Sequence, residues 1–466
     1  MSRNRFHAIS GRARLRTRTV VVAVSAVGAG LVLGACAPGS SNSSSSSAPA
    51  PSSVRTDAAS LGNVTLTVWD QEVRGGQEKQ MSTLNAQFHE KYPNITIKRV
   101  SRSFDDLVKT LRLALSGADA PDVVQANNTR SQMGEFVKAG QLTNLDPYAA
   151  AYGWDKRYPE SVRAVASYSP DGTTFGSGSL FGMPQVGEVV GIFYNEAKLK
   201  AMGINQPPKT WVEFEAALAN AKAKGEVPLV FGNLEKWPAG HVFGVVQGRY
   251  AKAADIRTLG FGQPGGSWTT PENTKAAQTL VDWVDKGYFS KGFNGLDYDP
   301  AWQGFSKGRG VFLIAGSWLQ ADLSSAMGPD VKFMLPPPPE AGGPEVTTGG
   351  TGLPFAITNT SKHKDAAAAY IDFITNAGAM KVLAGTGNLP VVETQQQSAP
   401  DPLGKDVFTA FGTVSTANGL MPYLDWATPT MGDTLGATLQ DLLAKKVTPQ
   451  QALEALQKDY GDFTGK

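Results

Sequence analysis

The run Val64-Thr-Leu-Thr-Val-Trp69 decides the fold of this chain. Its apolar and polar residues alternate with period 2 and several are β-branched, which is typical of a strand. Residues 78–91 follow with apolar side chains at helical spacing, and residues 95–100 alternate again. Strand, helix and strand in this order predict a parallel α/β sheet with right-handed crossovers.

The pattern continues beyond the second strand. Ser103 opens a predicted helix as its N-cap, and residues 121–125 form a short apolar run that predicts a buried strand. Ligands of parallel sheets bind outside the carboxyl ends of the strands. The polar residues that follow the first and third strands are therefore candidate ligand contacts: Asp70, Gln71, Glu72, Asn127 and Asn128.

Later segments repeat the alternation of strands and helices. Strands are predicted at residues 189–194 and 310–315, and Pro336–Pro339 is predicted to be a stiff connector. The predicted helices, several of which begin at a Thr N-cap, are 211–224, 273–286, 365–376 and 449–460.

Composition excludes several classes of protein. The chain has 466 residues, a length typical of two or three domains, and a formal net charge of +2. Six Arg lie within residues 1–35, and without them the chain has 37 basic and 41 acidic side chains. A mildly acidic body lacks the basic surface that nucleic acids require. One Cys and four His exclude a disulfide framework and a Cys-rich zinc site.

The N-terminal residues indicate export. An Arg-rich stretch precedes fourteen small or apolar residues, Val20–Leu33, which are too few to span a bilayer, so residues 1–35 are predicted to be a signal peptide. The only Cys follows in Leu33-Gly-Ala-Cys36, which resembles a bacterial lipobox and predicts diacylation of Cys36. Residues 36–62 are rich in Ser and Pro and are predicted to be a flexible tether at the outer face of the cell membrane.

Motifs of catalysis are missing from the sequence. It has no phosphate-binding loop of the ATPases, no G-x-S-x-G elbow and no H-E-x-x-H pair. Asp105 and Asp106 are interpreted as helix-terminal residues. We therefore expect no catalytic residues, no metal and no cofactor.

Tryptophan is abundant in loops. A flat indole can cover the apolar face of a pyranose while Asp, Glu, Asn and Gln bind its hydroxyls. Trp211 and Trp283 lie on amphipathic helices and are assigned to the core. The loop tryptophans that are candidate sugar platforms are Trp237, Trp268, Trp318 and Trp426.

Nine short blocks in order resemble the family 1 extracellular solute-binding proteins of ABC transporters. They include Thr65–Trp69, Ala120-Pro-Asp-Val-Val, Gly182-Met-Pro, Ala315-Gly-Ser-Trp318 and Gly387-Asn-Leu-Pro390. The resemblance implies a two-lobed fold of the periplasmic-binding-protein type II kind with a ligand cleft at the hinge. It also implies that residues 63–182 and 355–392 form lobe 1, and residues 183–354 and 393–466 form lobe 2.

The resemblance also assigns contacts. It implies that Trp318 and Trp426 stack on sugar rings, that Glu188 accepts hydroxyls near the hinge, and that Trp237 lies in the second lobe. It agrees with the strand-end candidates already named. Trp69 is left open between the ligand and the core, and Gly349 and Gly350 allow close backbone approach or hinge freedom.

The implied function is capture of a di- or short oligosaccharide between the lobes and delivery to an ABC importer permease. The protein is expected to be a monomer and not an enzyme. Two alternatives stay open from the residues. A secreted glycoside hydrolase would need a pair of carboxylates such as Glu188 and Asp70. A binding protein for glycerol phosphate, polyamine or iron is the other, with Arg74 and Arg130 as phosphate candidates.

Overall fold

A computed structural model describes residues 53–117 and 120–465. The predicted signal peptide 1–35, Cys36 and the tether up to residue 52 lie outside the described residues. The strands are β1 Val64–Asp70, β2 Ile95–Ser101, β3 Val123–Gln125, β4 Ser167–Tyr168, β5 Ser179–Leu180, β6 Gly187–Asn195, β7 Leu229–Val230, β8 Phe312–Gly316, β9 Val331–Met334, β10 Thr347–Thr351, β11 Phe355–Ile357 and β12 Leu420–Met421.

Helices cover both sheets. They are α1 Gly75–Lys91, α2 Phe104–Ser116, α3 Glu135–Lys138, α4 Asp146–Tyr152, α5 Trp154–Arg157, α6 Glu160–Ala164, α7 Glu196–Ala201, α8 Trp211–Ala223, α9 Trp237–Gln247, α10 Ala253–Gly260, α11 Pro271–Asp285, α12 Tyr298–Ser306, α13 Gln320–Met327, α14 Lys364–Ile374, α15 Ala377–Gly385, α16 Pro402–Thr416, α17 Met431–Leu443 and α18 Pro449–Thr464. In the described part of the chain, none of these helices combines the length and the apolar character that a membrane span needs.

The first sheet has the strand order β11-β3-β1-β2. Strands β1, β2 and β3 are parallel, as the alternation of strands and helices predicts. Strand β11 returns from far along the chain and pairs antiparallel with β3. The side chains of Leu66 and Val68 are fully buried beneath the helices, so the alternating face of β1 forms part of the core.

The second sheet has the order β12-β10-β6-β8-β7, with β9 also paired to β6. It is mixed rather than parallel, which corrects the simple continuation expected from the sequence. Strand β6 runs antiparallel to β8, β9 and β10, whereas β7 with β8 and β10 with β12 are parallel pairs. The chain passes from the second sheet to the first within residues 352–354, between β10 and β11.

Local signals place several helix starts. Ser103 Oγ accepts a hydrogen bond from the Asp106 amide at 3.2 Å, and Thr448 forms a capping box with Gln451. Trp211 and Trp283 are buried, as predicted. In each of these cases the signal that predicts the structure lies within a few residues of the position it predicts.

The ordered fold begins before residue 63. Residues Ala58–Leu61 form a 3₁₀ helix, and the Ala58 side chain is 1 % exposed in contact with the core. Arg55 forms an ion pair with Asp365 at 3.0 Å. The last residues of the predicted tether therefore pack against the body, where Ala58–Leu61 contacts α14 and the Ala58 side chain joins the core.

Candidate functional site

Both sheets contribute residues to one cavity of about 100 Å³. Gln71 and Asn127 reach it from beyond β1 and β3, at the carboxyl ends where parallel sheets bind ligands. Glu188 and Thr351 reach it from β6 and β10. The full lining is Gln71, Arg74, Phe104, Asn127, Asn128, Glu188, Trp237, His241, Trp318, Thr351, Leu353, Tyr423, Asp425 and Trp426.

Two carboxyl groups in the cavity, those of Glu188 and Asp425, are partly buried. Burial raises the pKa of Glu188 to about 7, although a hydrogen bond that Glu188 Oε2 accepts from the Tyr423 hydroxyl at 2.9 Å opposes the shift. Burial also raises the pKa of Asp425 to about 6. Both groups therefore change charge close to neutral pH, where a hydrogen-bonding ligand can select the ionised form.

Arg74, in the cavity lining, connects the start of α1 to α12. It precedes α1, and its Nη2 atom lies 3.0 Å from Asp299 Oδ1 of α12. The next amide, that of Gly75, donates to Asp322 Oδ1 of α13 at 3.2 Å. Arg74 Nε is buried without a hydrogen-bond partner among the described residues. The start of α1 is thus tied to helices that pack with the second sheet.

Five rings form a wall along the cavity, which we call the aromatic wall: Trp237, His241, Trp318, Tyr423 and Trp426. Successive ring centroids are 5.4 Å apart for Trp237 and His241, 5.1 Å for His241 and Tyr423, and 5.3 Å for Tyr423 and Trp426. Burial lowers the pKa of His241 to about 4, so its imidazole is neutral at physiological pH. The wall is therefore apolar in body, with polar atoms at its edges.

Trp318 is held in a fixed orientation. Its ring lies over Gly316, where an added Cβ would fall 2.0 Å from an indole carbon, so only glycine leaves room for it. Its Nε1 donates to the Tyr298 hydroxyl at 2.8 Å. A ring fixed on one face by backbone and at its edge by a hydrogen bond is well suited to stacking on its free face.

The sequence model of the family described as bacterial extracellular solute-binding protein matches residues 75–381. The chain belongs to this family.

Two relatives extend over most of this solute-binding protein. The multiple sugar-binding protein of Streptococcus mutans is 25% identical over 332 residues, which are 69% of this chain and 75% of the relative. The maltodextrin-binding protein MdxE of Bacillus subtilis is 24% identical over 365 residues, which are 75% of this chain and 78% of the relative.

A solved structure shares the architecture. A chitin oligosaccharide binding protein superposes with a TM-score of 0.74 at 22% identity, covering 87% of this chain and all of that one. This likeness confirms the predicted two-lobed α/β fold.

Seven of the predicted contact residues of the solute-binding protein line the cavity. One lies in β6, one begins α9, and the others follow strands of the two sheets; they are Gln71, Asn127, Asn128, Glu188, Trp237, Trp318 and Trp426. The other six predicted residues do not line it: Trp69, Asp70, Glu72, Trp268, Gly349 and Gly350.

Asp70 and Glu72 lie behind the cavity rather than in it. Asp70 is fully buried and accepts two hydrogen bonds from Arg99, at 2.6 and 2.8 Å. Glu72 is also fully buried, and its Oε1 accepts from Gln125 Nε2 at 2.7 Å. Only Gln71, between them, reaches the lining, because successive residues in extended chain point to opposite sides. Trp69 lies under the Arg102 guanidinium, 4.3 Å from its ring centroid.

Trp268 is a correction to the predicted site. Its side chain has no exposed surface, and its backbone amide donates to Gln457 of α18 at 2.7 Å. Both indole faces are therefore covered by protein, and Trp268 belongs to the core. Gly349 and Gly350 act through the backbone. An added Cβ on Gly349 would fall 2.4 Å from the Glu188 carbonyl oxygen, so glycine allows β10 and β6 to approach, and Gly350 has a φ of +148°, which glycine favours.

The lining contains residues that the predicted site lacked. Asp425 and Tyr423 belong to the segment Pro422-Tyr-Leu-Asp-Trp426, of which the predicted site contains only Trp426. His241 lies four residues after Trp237 on α9, a spacing that places both on one helix face. Within residues 53–117 and 120–465, no three or more His, Cys, Asp or Glu side chains are grouped so that they could hold a metal ion.

Proposed function

We propose that this protein binds a di- or short oligosaccharide in the cavity. The observation that carries the proposal is the aromatic wall beside the carboxyl groups of Glu188 and Asp425. Indole faces match the C–H faces of pyranoses, and carboxylates and amides take paired hydroxyls. The sugar-binding names of the two relatives support the same class of ligand.

Closure of two lobes over the ligand is the proposed mechanism. We propose the division already implied by the sequence, with residues 63–182 and 355–392 in one lobe and residues 183–354 and 393–466 in the other. The membership of β1, β2, β3 and β11 in one sheet and of β6 to β10 and β12 in the other supports this division. A ligand that contacts both lobes stabilises the closed state by its differential affinity.

Delivery to the permease of an ABC importer completes the proposal. The protein acts from the outer face of the cell membrane, held by a lipid on Cys36, and works as a monomer. It releases its ligand chemically unchanged. Family membership supports the transport role, and the position of the single Cys after an apolar segment supports the anchor.

Ligand screening tests the proposal directly. The purified protein is heated with each of a panel of mono-, di- and trisaccharides, with glycerol phosphate and spermidine as non-sugar solutes. A ligand at about 1,000 times its dissociation constant stabilises a protein by about 4 kcal/mol, so a binding sugar raises the Tm clearly. A panel in which only a non-sugar solute raises the Tm would overturn the proposed ligand class.

Variants locate the binding site. Trp318→Ala and Trp426→Ala are each expected to weaken binding of the sugar found in the screen, as measured by titration calorimetry. Trp211→Phe, in the core of the second lobe, is the matched control and is expected to keep the affinity. Wild-type affinity in both alanine variants would move the site elsewhere. Mass spectrometry of the sugar after long incubation distinguishes binding from hydrolysis.

A further inference from the structure

The cavity lining contains more acidic than basic side chains. Glu188 and Asp425 line it, and Arg74 is the one cationic side chain in the lining of the described cavity. Arg74 already pairs with Asp299 at 3.0 Å, so its charge is shared with a carboxylate outside the lining. Glu72, fully buried close behind, adds a further acid.

Neither lining carboxyl group has a cationic hydrogen-bond partner. Glu188 accepts one hydrogen bond, from the neutral Tyr423 hydroxyl. Among the described residues, no side chain donates a hydrogen bond to the Asp425 carboxyl group. Burial raises the pKa of this group. Partly buried ionised carboxylates without charged partners pay a desolvation cost, and a cation supplied by the ligand lowers that cost.

The aromatic wall independently favours a cation. Aromatic faces attract ammonium groups through the ring quadrupole, and Trp and Tyr do so most strongly. Tyr423 lies next to both Trp426, at 5.3 Å between ring centroids, and the Glu188 carboxyl group, at 2.9 Å from its hydroxyl. His241 is neutral and adds no repelling charge. Aromatic rings and a carboxyl group are therefore direct neighbours in the cavity lining.

We propose that the saccharide ligand carries a free amino group, which binds as an ammonium between Glu188, Asp425 and the rings of Tyr423 and Trp426. This inference rests on the proposed saccharide function and narrows it to amino sugars that are not acetylated. An ammonium forms charge-assisted hydrogen bonds to carboxylates, which are about twice as strong as those of a hydroxyl. The same charges repel uronic acids and phosphorylated solutes.

Three β-1,4 disaccharides that differ only at carbon 2 give a sharp test: the dimer of glucosamine, the dimer of N-acetylglucosamine, and cellobiose. Titration calorimetry at pH 7.0 is suitable, because an amine beside electron-withdrawing groups resembles an α-amino group with a pKa of about 7.7–8.0. We expect the glucosamine dimer to bind at least tenfold more tightly than either neutral dimer, with the ratio falling as salt is added.

Asp425→Asn tests the residue assignment. It is expected to weaken binding of the glucosamine dimer by a several-fold larger factor than binding of either neutral dimer, and so to reduce the preference for the amine. Asp433→Asn, which removes an exposed carboxylate from the start of α17, is the control and is expected to keep the preference.

The outcomes separate the two proposals. A neutral dimer that binds as tightly as the amine would overturn the amino-sugar assignment and leave saccharide binding intact. An unchanged preference in Asp425→Asn would also overturn the assignment. Binding of spermidine with no binding of any saccharide would overturn both.

Discussion

Replacing Glu72 by Gln is expected to stabilise the protein at pH 8 and to have little effect at pH 5. The Glu72 side chain is fully buried, its Oε1 accepts from Gln125 at 2.7 Å, and its Oε2 has no partner among the described residues. Burial, with smaller contributions from Asp70 and Glu188, raises its pKa from 4.5 to about 7. Gln has the same shape and cannot ionise.

The magnitude follows from linkage. The folded state keeps the Glu72 proton between its unfolded pKa near 4.5 and its folded pKa near 7, so the folded state binds more protons there and wild-type stability falls as pH rises. At 1.36 kcal/mol per pKa unit, ionisation of Glu72 costs the folded state about 3 kcal/mol at pH 8. The stabilisation by Glu72→Gln at pH 8 should exceed that at pH 5 by about 2.5 kcal/mol.

Urea unfolding monitored by tryptophan fluorescence, at both pH values, measures this difference. Glu90→Gln, a substitution of an exposed glutamate at the end of α1, is the control for a change of net charge. Equal free-energy changes for Glu72→Gln at pH 5 and pH 8 would refute the argument that burial holds the proton on Glu72.

Four further substitutions test individual residues of the cavity, the core, an ion pair and a helix cap. Trp318→Ala should weaken saccharide binding at least tenfold in calorimetry, whereas Trp268→Ala should leave the affinity of the folded protein unchanged and lower its free energy of unfolding by about 3–5 kcal/mol. Asp299→Asn removes the ionised partner of Arg74, which ties the start of α1 to α12, so the protein without ligand should have a larger radius of gyration in small-angle X-ray scattering. Because the Asp299 side chain is half exposed, the loss of unfolding free energy should stay below about 1 kcal/mol. Thr448→Ala removes the capping box of α18 and should cost about 1 kcal/mol in urea unfolding.

The start of α1 shows where local sequence signals fail. The apolar pattern predicts a helix from Glu78, but α1 begins at Gly75. Gly75 and Gly76 are poor helix formers, and their conformation is fixed by distant residues. An added Cβ on Gly76 would fall 2.3 Å from Ala321 Cβ, so the glycine is required by packing against α13. A contact between residues so far apart in sequence leaves no trace in a local pattern.

The directions of the strands in the second sheet also cannot be predicted from local sequence. The sequence predicts a strand at residues 189–194, and β6 spans Gly187–Asn195, so the predicted start lies within two residues of the observed one. Its three antiparallel neighbours come from beyond residue 311. Periodicity reports which faces of a strand are buried, and it carries no information on the direction of partners that arrive after a hundred residues or more.

Two tryptophans show that the local sequence indicates which residues could bind a sugar, whereas the fold determines which of them reach the cavity. Trp268 and Trp318 both follow a Gly-Ser pair, and the sequence treats them alike. Trp318 lies two residues after the end of β8, in the lining of the cavity, whereas Trp268 is buried in contact with α18. Local sequence therefore supplies residues able to bind a sugar, and the ends of the strands determine which of them can reach one. The same rule separates Gln71 from Asp70 and Glu72, since one residue of register decides which side chain enters the cavity.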